Sequence, residues 1–436
     1  MADARAAYLR TLVLAALLGV PVAFAAVLFQ TAVQDVIDLV WDDIPDWLGW
    51  NEPAALYVVV VPGIAGLLVA AAKRLPGDGG HPPLGGLHMG AVPPLDLVSI
   101  LLAALATLGL GLVLGPEAPL IALGLGLPPL ILRLIGKHGA DERLLALAGA
   151  FAALAALFGG PLVAALLFFE LVAKSGAIPA RQLGQALLPG FVAAGTGALV
   201  FTGVAGWEGL HQQNLALPDV TPYDTVRVAD LAWCALLAVV SAIVIAASRR
   251  LGFVVAARAT SRPVLGMVVA GLLVGLLALG FREATDRPVD LVLFSGQSAL
   301  PAIVGESTGW VVLLVVVAKG LAYSLSLGAG FRGGPVFPAV AIGTALGVAA
   351  ADLLPGLEAT PAIVTGIAAG TAAVLKAPFT AALLASLIVG SSAADTAPFA
   401  VIAAVLAVLV AQAIPDPGAK EDAAPADPGG GATAPT

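Results

Sequence analysis

Glu117 is the residue with most chemistry to offer. It stands in Gly115-Pro116-Glu117-Ala118-Pro119, between two prolines, with apolar sequence on both sides. An ionisable group in such a setting is costly to keep and is functional by default. The same punctuation recurs at Gly334-Pro335-Val336-Phe337-Pro338. Each element immediately precedes an apolar run that reads as a helix. Proline near a first turn costs little, because that N–H has no intrahelical partner, and glycine lets backbone approach a ligand closely. A helix N-terminus carries about half a positive charge and several free N–H groups. Two such ends meeting in an apolar interior make an anion site without Lys or Arg. Partial charges also bind weakly enough to release what they hold, whereas a strong cationic site would trap its anion.

Gly115 and Gly334 open the two elements and give such room at each. A third break, Pro76-Gly77-Asp78-Gly79-Gly80-His81-Pro82-Pro83, adds Gly79, Gly80 and His81 by the same logic; alone it would read as a glycine-rich surface loop. Glu117 then competes with the anion for the N–H groups. Its protonation removes the competitor, which describes a gate sensitive to pH and voltage. The bland alternative is a helix-start carboxylate near the surface.

The recurrence belongs to a duplication. Gly115 to Gly124 aligns with Gly334 to Gly343 at an offset of 219 residues, both reading G-P-x-x-P-x-x-A-φ-G. Gly149 to Leu167 aligns with Gly366 to Leu384 at an offset of 217, bringing Pro161 onto Pro378. Abundant Ala, Gly and Leu could align by chance, but two ordered matches with fixed prolines at nearly one offset argue for a repeat. The halves are expected at 1–205 and 229–414, joined by a polar linker at 206–228. Such halves generally place a binding site between them near the bilayer midplane. An odd number of crossings per half would invert one relative to the other. The segment 415–436, rich in Pro, Gly and Ala, cannot bury a core and is expected to be disordered.

Composition says what must carry these motifs. Of 436 residues, 60% are apolar and 11% charged, with mean hydropathy +1.01, against about 25% charged in an ordinary soluble domain. This excludes a soluble enzyme, a nucleic-acid-binding protein and a disordered chain. An all-α polytopic membrane protein remains. The 51 glycines and 32 prolines exceed what a simple bundle needs and suggest interrupted helices. Apolar segments at 11–32, 53–73, 95–114, 118–136, 142–172, 184–204, 229–248, 262–281, 289–304, 309–328, 336–353, 361–392 and 396–414 predict about 16 or 17 helices of unequal length, several broken or re-entrant. Those with internal Pro161 and Pro378 read as two helices each. Residues 1–30 mimic a signal peptide but read as a first membrane helix, because more spans follow.

Arg5, Arg10, Lys73, Arg74, Arg249, Arg250, Arg258 and Arg262 mark one side of the membrane, while Asp42, Asp43, Asp46 and Glu52 mark the other. The positive-inside rule puts the N-terminus in the cytoplasm of a multi-pass cell-membrane protein. Cys234 is the single cysteine, so no disulfide framework or Cys-based metal site exists. His81, His88, His138 and His211 show no metal spacing, and no cofactor motif is present. Lys319 and Lys376 could add positive potential to a vestibule or snorkel to an interface. Trp41, Trp47, Trp50, Trp207 and Trp310 suit membrane interfaces. No HExxH, GxSxG or paired acidic motif supports an intramembrane enzyme. Cation transport would want several converging carboxylates, and only Glu117 and Glu170 are candidates.

These residues resemble the CLC family of chloride channels and chloride/proton antiporters. GPEAP at 115–119 is similar to its GREGP, which puts the gating glutamate at Glu117. GPVFP at 334–338 is similar to its GxFxP, and GGHP at 79–82 to the end of its GSGIP. FGGPLVAALLFFEL at 158–171 and KAPFTAALLASLIV at 376–389 are similar to its NAPL-type and RAPLT helices. The resemblance covers about residues 10–414. It implies an inverted-repeat fold, a homodimer with one pore per subunit, and chloride or another small anion as cargo. The sequence also departs from the pattern. The family's central serine falls on Gly79, where the backbone N–H groups of Gly80 and His81 could still serve. Its filter phenylalanine falls on Val336, with Phe337 one place later and, since Pro335 has no N–H, the anion donors there reduced to Val336 and Phe337. Its late pore tyrosine has no counterpart. The antiporters' inner proton glutamate aligns with Leu171, with Glu170 one residue earlier as a possible proton path or a structural group. The expectation is therefore a gated anion channel. A proton-coupled antiporter of chloride, fluoride or nitrate is the alternative.

Overall fold

The computed structural model describes residues 2–136, 142–175, 180–211, 215–217, 220–223, 226–414 and 416–417. His138, part of the 206–228 linker and the rest of the 415–436 tail lie outside them. Sixteen α-helices are formed among the described residues. The first half carries α1 (Ala2–Asp38), α2 (Ile44–Trp47), α3 (Ala55–Ala72), α4 (Asp96–Gly109), α5 (Glu117–Leu134), α6 (Glu142–Phe158), α7 (Pro161–Ser175) and α8 (Ala180–Gly203). The second carries α9 (Val228–Ala259), α10 (Pro263–Thr285), α11 (Leu300–Gly305), α12 (Gly309–Gly328), α13 (Val336–Leu353), α14 (Ala359–Leu375), α15 (Pro378–Val389) and α16 (Ala393–Ala413). Eight helical stretches are long and apolar enough to cross a membrane.

The chain breaks where its backbone chemistry requires. Gly159 takes φ +63° after α6, and Pro161 opens α7. Lys376 takes φ +53° after α14, and Pro378 opens α15. A left-handed residue ends a helix, and proline at the next first turn starts one. Both long apolar segments are therefore two helices each, at corresponding places in the repeat.

Helix directions follow from the ties between ends. Tyr57, early in α3, donates to the Val40 carbonyl beyond the end of α1, so these helices run oppositely. Arg282, near the end of α10, donates at 2.7 Å to the Pro53 carbonyl just before α3. A turn of a few residues joins α9 to α10. Hence α9 opposes α1, and α10 opposes α3: corresponding helices of the two halves point in opposite directions. The neighbours also correspond. α1 packs on α6 and α8, as α9 packs on α14 and α16. This is an inverted repeat.

Close packing is repeated too. α5 crosses α6 with Gly124 against Gly149, and α13 crosses α14 with Gly343 against Gly366. A Cβ at Gly366 would overlap the Gly343 carbonyl, and a Cβ at Gly149 would overlap that of Gly124. Small residues let membrane helices approach in this way, where dispersion and not water exclusion drives association.

Two side chains differ from their sequence reading. Trp41 is buried, not interfacial; its indole donates at 3.2 Å to the Gly109 carbonyl and stands edge-on to Phe294 and Tyr57. Lys319 is wholly buried on α12, and its ammonium donates to the carbonyls of Leu291, Val292, Leu293 and Phe294 at 2.9–3.4 Å. It neither lines a vestibule nor snorkels. It staples the loop before α11, a bonding-saturated way to keep an ammonium in an apolar bundle.

Gly366→Val is expected to destabilise the protein by about 1–3 kcal/mol, the usual cost of overpacking. Gly280→Val, where nothing lies near the added atom, is the control. Thermal unfolding in detergent checks this, and equal midpoints for the two variants would contradict the glycine crossing.

Candidate functional site

Glu117 and Val336 are the first residues of α5 and α13, and the two helix starts meet inside the bundle. They are joined by backbone. The Gly115 N–H donates to the Gly334 carbonyl at 2.7 Å, and the Gly334 N–H returns to the Gly115 carbonyl at 2.5 Å, as an isolated antiparallel bridge. Two further bonds hold the same loops. The Val113 N–H donates to Ser326 Oγ on α12 at 3.0 Å, and the Arg332 N–H donates to Thr107 Oγ1 on α4 at 3.2 Å. The duplication relates these ties to each other: Gly115 corresponds to Gly334, Val113 to Arg332 and Thr107 to Ser326, so the bonds from 113 to 326 and from 332 to 107 are equivalent. Each half therefore supplies the acceptor that the other half's loop lacks.

Glu117 is fully buried in this junction, so it is not a surface helix-start carboxylate. Its Oε1 accepts from the Phe337 N–H at 2.7 Å, and the N–H groups of Val336 and of Glu117 itself also face the carboxylate. Oε2 is buried without a partner. Gly115 and Gly334 are the floor of the seat, since a Cβ at either would overlap the carboxylate. With their N–H groups engaged to each other, the donors facing the seat are those of Glu117, Val336 and Phe337. Behind it, the buried Tyr323 hydroxyl donates at 2.9 Å to the Pro335 carbonyl and holds the second motif.

The third break lies alongside. Gly79, Gly80 and His81 share a cavity of about 50 Å³ with Ala118, Pro119, Gly333 and Arg332. The Gly79 N–H donates to Ser99 Oγ at 3.2 Å and the Gly80 N–H to the Gly77 carbonyl at 2.8 Å. Arg332 donates to the Asp78 carbonyl at 3.0 Å, and its Nε is buried without a partner. His81 stacks on His88 at 3.6 Å. Burial first, then His88 and Arg332, hold the His81 imidazole below its ordinary value. On the other side of the junction, a cavity of about 40 Å³ reaches Leu114 and Pro116 and is lined by Gln30, Gln34, His211 and Gln297. One cavity thus reaches Pro116 and the other Ala118, the residues on either side of Glu117 in the chain.

Glu170 is buried, but elsewhere. Its carboxylate caps the start of α15, accepting from the N–H of Phe379 at 3.1 Å and of Thr380 at 2.8 Å, and from the Thr380 hydroxyl at 2.5 Å. Leu171, its neighbour, lines a cavity of about 490 Å³ with Arg249, Pro335 and Lys376. Thr107, Ser326 and Tyr323 escaped the sequence reading, where the signal was a polar residue inside an apolar helix; Arg249 was read only as a charge marking one side of the membrane, whereas it is buried within α9. Among the described residues no cluster could hold a metal ion.

A profile described as "Voltage gated chloride channel" matches residues 84–412. The chain belongs to the voltage-gated chloride channel (CLC) family. Among curated proteins it is 31% identical over 374 residues to the "Putative ion-transport protein YfeO" of Escherichia coli, covering 82% of each chain. A protein of the same name from Shigella boydii is 30% identical over the same coverage. Among solved structures, a slow cyanobacterial Cl−/H+ antiporter superposes with TM-score 0.77 at 21% identity, over 93% of this chain and 95% of that one. A CLC-type fluoride/proton antiporter superposes with TM-score 0.70 at 19% identity, over 93% and 96%. The shared fold is the CLC fold.

Removing an acceptor from either exchanged tie leaves a buried N–H unpaired, at about 1–3 kcal/mol. Thr107→Val and Ser326→Ala are therefore expected to lower the unfolding midpoint in detergent. Ser324→Ala is the control, because that hydroxyl bonds within its own helix at 2.7 Å to the Gly320 carbonyl. A control as destabilised as the other two would argue against the exchanged ties.

Proposed function

We propose that this protein is a passive, gated pore for small anions, with chloride as the cargo and Glu117 as the gate. One observation carries the reading: a lone carboxylate occupies N–H donors at two converging helix starts, the place a permeant anion would take. Electrostatics favour a negative group there. Protonated, the side chain no longer needs those donors and leaves them to the anion. Val336, Phe337 and Glu117 supply the donors; Gly115 and Gly334 give the room. Gly79, Gly80 and His81 line the approach from the third break.

The absence of an acid at Leu171 favours conduction over exchange. Coupled exchange needs a second proton stop between the gate and the other side. Leu171 faces the large cavity and is apolar, while the Glu170 carboxylate is fully taken up in capping α15. The second reading is a proton-coupled chloride or fluoride antiporter, favoured because two of the superposing structures are a Cl−/H+ and an F−/H+ antiporter.

Orientation forms part of the proposal. The ends of α3 and α9 and the start of α1 lie on one face with Lys73, Arg74, Arg258, Arg5 and Arg10. The acidic Asp42, Asp43, Asp46 and Glu52 lie on the opposite one. The positive-inside rule makes the basic face cytoplasmic, with the N-terminus there. Halves at 1–205 and 229–414 and a homodimer in the membrane complete the reading; the opposed helix directions support the halves.

Chloride efflux from proteoliposomes, recorded together with internal pH, tests this. The wild type is expected to pass chloride faster as the bath is acidified, without moving protons uphill. Glu117→Gln is expected to pass chloride at a rate that no longer depends on pH. Uphill proton movement driven by chloride would replace the channel with the antiporter, and an unchanged pH dependence would remove Glu117 as the gate.

A further inference from the structure

The large cavity behind Pro335 contains charges that the Glu117 seat does not use. Arg249, on α9, is only 7% exposed. Its Nη2 donates to Asp416 Oδ2 at 2.9 Å and to the Leu84 carbonyl at 3.1 Å, and its Nε to Asp416 Oδ1 at 3.3 Å. Its Nη1 is buried without any partner. Lys376 places its ammonium 3.9 Å from the same Asp416 oxygen. Lys174 is tied to the carbonyls of Leu375 and Lys376 and adds positive charge nearby.

An arginine within an apolar helix needs an anion, since an unpaired charge there costs several kcal/mol. The anion it finds is a carboxylate 167 residues away in the chain, three residues beyond the end of α16. That carboxylate is held in the two-pronged manner by which guanidinium takes any planar or compact anion. The cavity of about 490 Å³ around it has room for several waters, each of which takes about 30 Å³. The ion pair therefore borders open volume on one side. The cavity wall includes Pro335, the residue before the donors of Val336 and Phe337. Arg249 and the second motif therefore border one cavity.

We infer that Arg249 and Lys376 form a second anion-binding site at the basic-face mouth of the pore, and that the Asp416 carboxylate occupies it as a tethered competitor. This rests on the reading of the protein as an anion pathway. Glu117 and Asp416 then play the same part in series, the first on peptide dipoles and the second on fixed cations. Free halide competes with Asp416 for Arg249, so the vestibule passes more anion when the carboxylate is displaced or neutralised. The unpartnered Nη1 is the donor that a spherical anion would engage and a single carboxylate leaves idle. A mere fastening of the end of α16 to α9 makes the opposite demand: loss of Asp416 would loosen the fold and bind nothing.

Full-length protein is crystallised in bromide and reconstituted for chloride efflux, as wild type, Asp416→Ala, Asp416→Asn and Asp416→Ala with Arg249→Gln. Asp416→Asn keeps the size and a hydrogen-bond acceptor and drops the charge, so it serves if the alanine variant fails to fold. Expected is an anomalous bromide peak within contact distance of Arg249 in Asp416→Ala or Asp416→Asn. Wild type and the double variant should lack it, and efflux should rise severalfold in the single variants. Folded single variants with no bromide at Arg249 would overturn the site, whatever their stability. A wild type without anion flux would instead overturn the functional reading, and the bromide peak would still report on Arg249.

Discussion

Two loops from opposite halves complete each other's hydrogen bonding, and the rest of the structure depends on it. In the hydrocarbon region each unsatisfied backbone group costs several kcal/mol. Non-helical backbone there needs partners from elsewhere in the protein. Gly115 and Gly334 exchange both N–H bonds, while Thr107 and Ser326 each accept from the loop of the other half. Neither loop could be held so without the other. Their pairing fixes the starts of α5 and α13 against each other and leaves N–H groups facing a shared point. The seat of the Glu117 carboxylate is thus a by-product of satisfying the backbone at an inverted-repeat axis.

The axis makes the seat nearly symmetric, and one substitution breaks the symmetry. Glu117 in the first half corresponds to Val336 in the second at the same offset of 219. A carboxylate on both sides would place two like charges on one set of donors, and none would leave those donors unfilled. A single acid takes the donors of both helix starts, and its carboxylate leaves no space for a side chain at either glycine beneath it. The CLC family membership and the fold shared with solved antiporters fit this frame. Whether such a frame conducts or exchanges turns on the next proton acceptor along the path.

Much of this was legible in the sequence. The duplicated proline-bounded motifs, the buried glutamate and the two helix breaks at Gly159–Pro161 and Lys376–Pro378 all follow from residue types whose backbone preferences are strong. What escaped was side-chain bonding across long separations. Thr107 and Ser326 each also donate to the carbonyl four residues back, at 2.8 and 2.9 Å to Ala103 and Ala322. That habit is common to Ser and Thr in apolar helices, so nothing marked these two as acceptors for the opposite half. Trp41 and Lys319 were misread for a related reason. Amphipathic side chains suit interfaces on average, and only the fold reveals that a row of carbonyls waits beside one and a glycine carbonyl beside the other. Tyr323 was unreadable because it reaches the second motif from α12 and not from the chain's end.

The central claim is that the N–H groups of Val336 and Phe337 hold either the Glu117 carboxylate or a free anion, never both. A crystal structure of Glu117→Gln grown in bromide tests it most directly. The account predicts an anomalous peak within hydrogen-bond distance of those two N–H groups, where wild type has its carboxylate. A bromide bound elsewhere, with these donors left empty or the glutamine still seated on them, would contradict it.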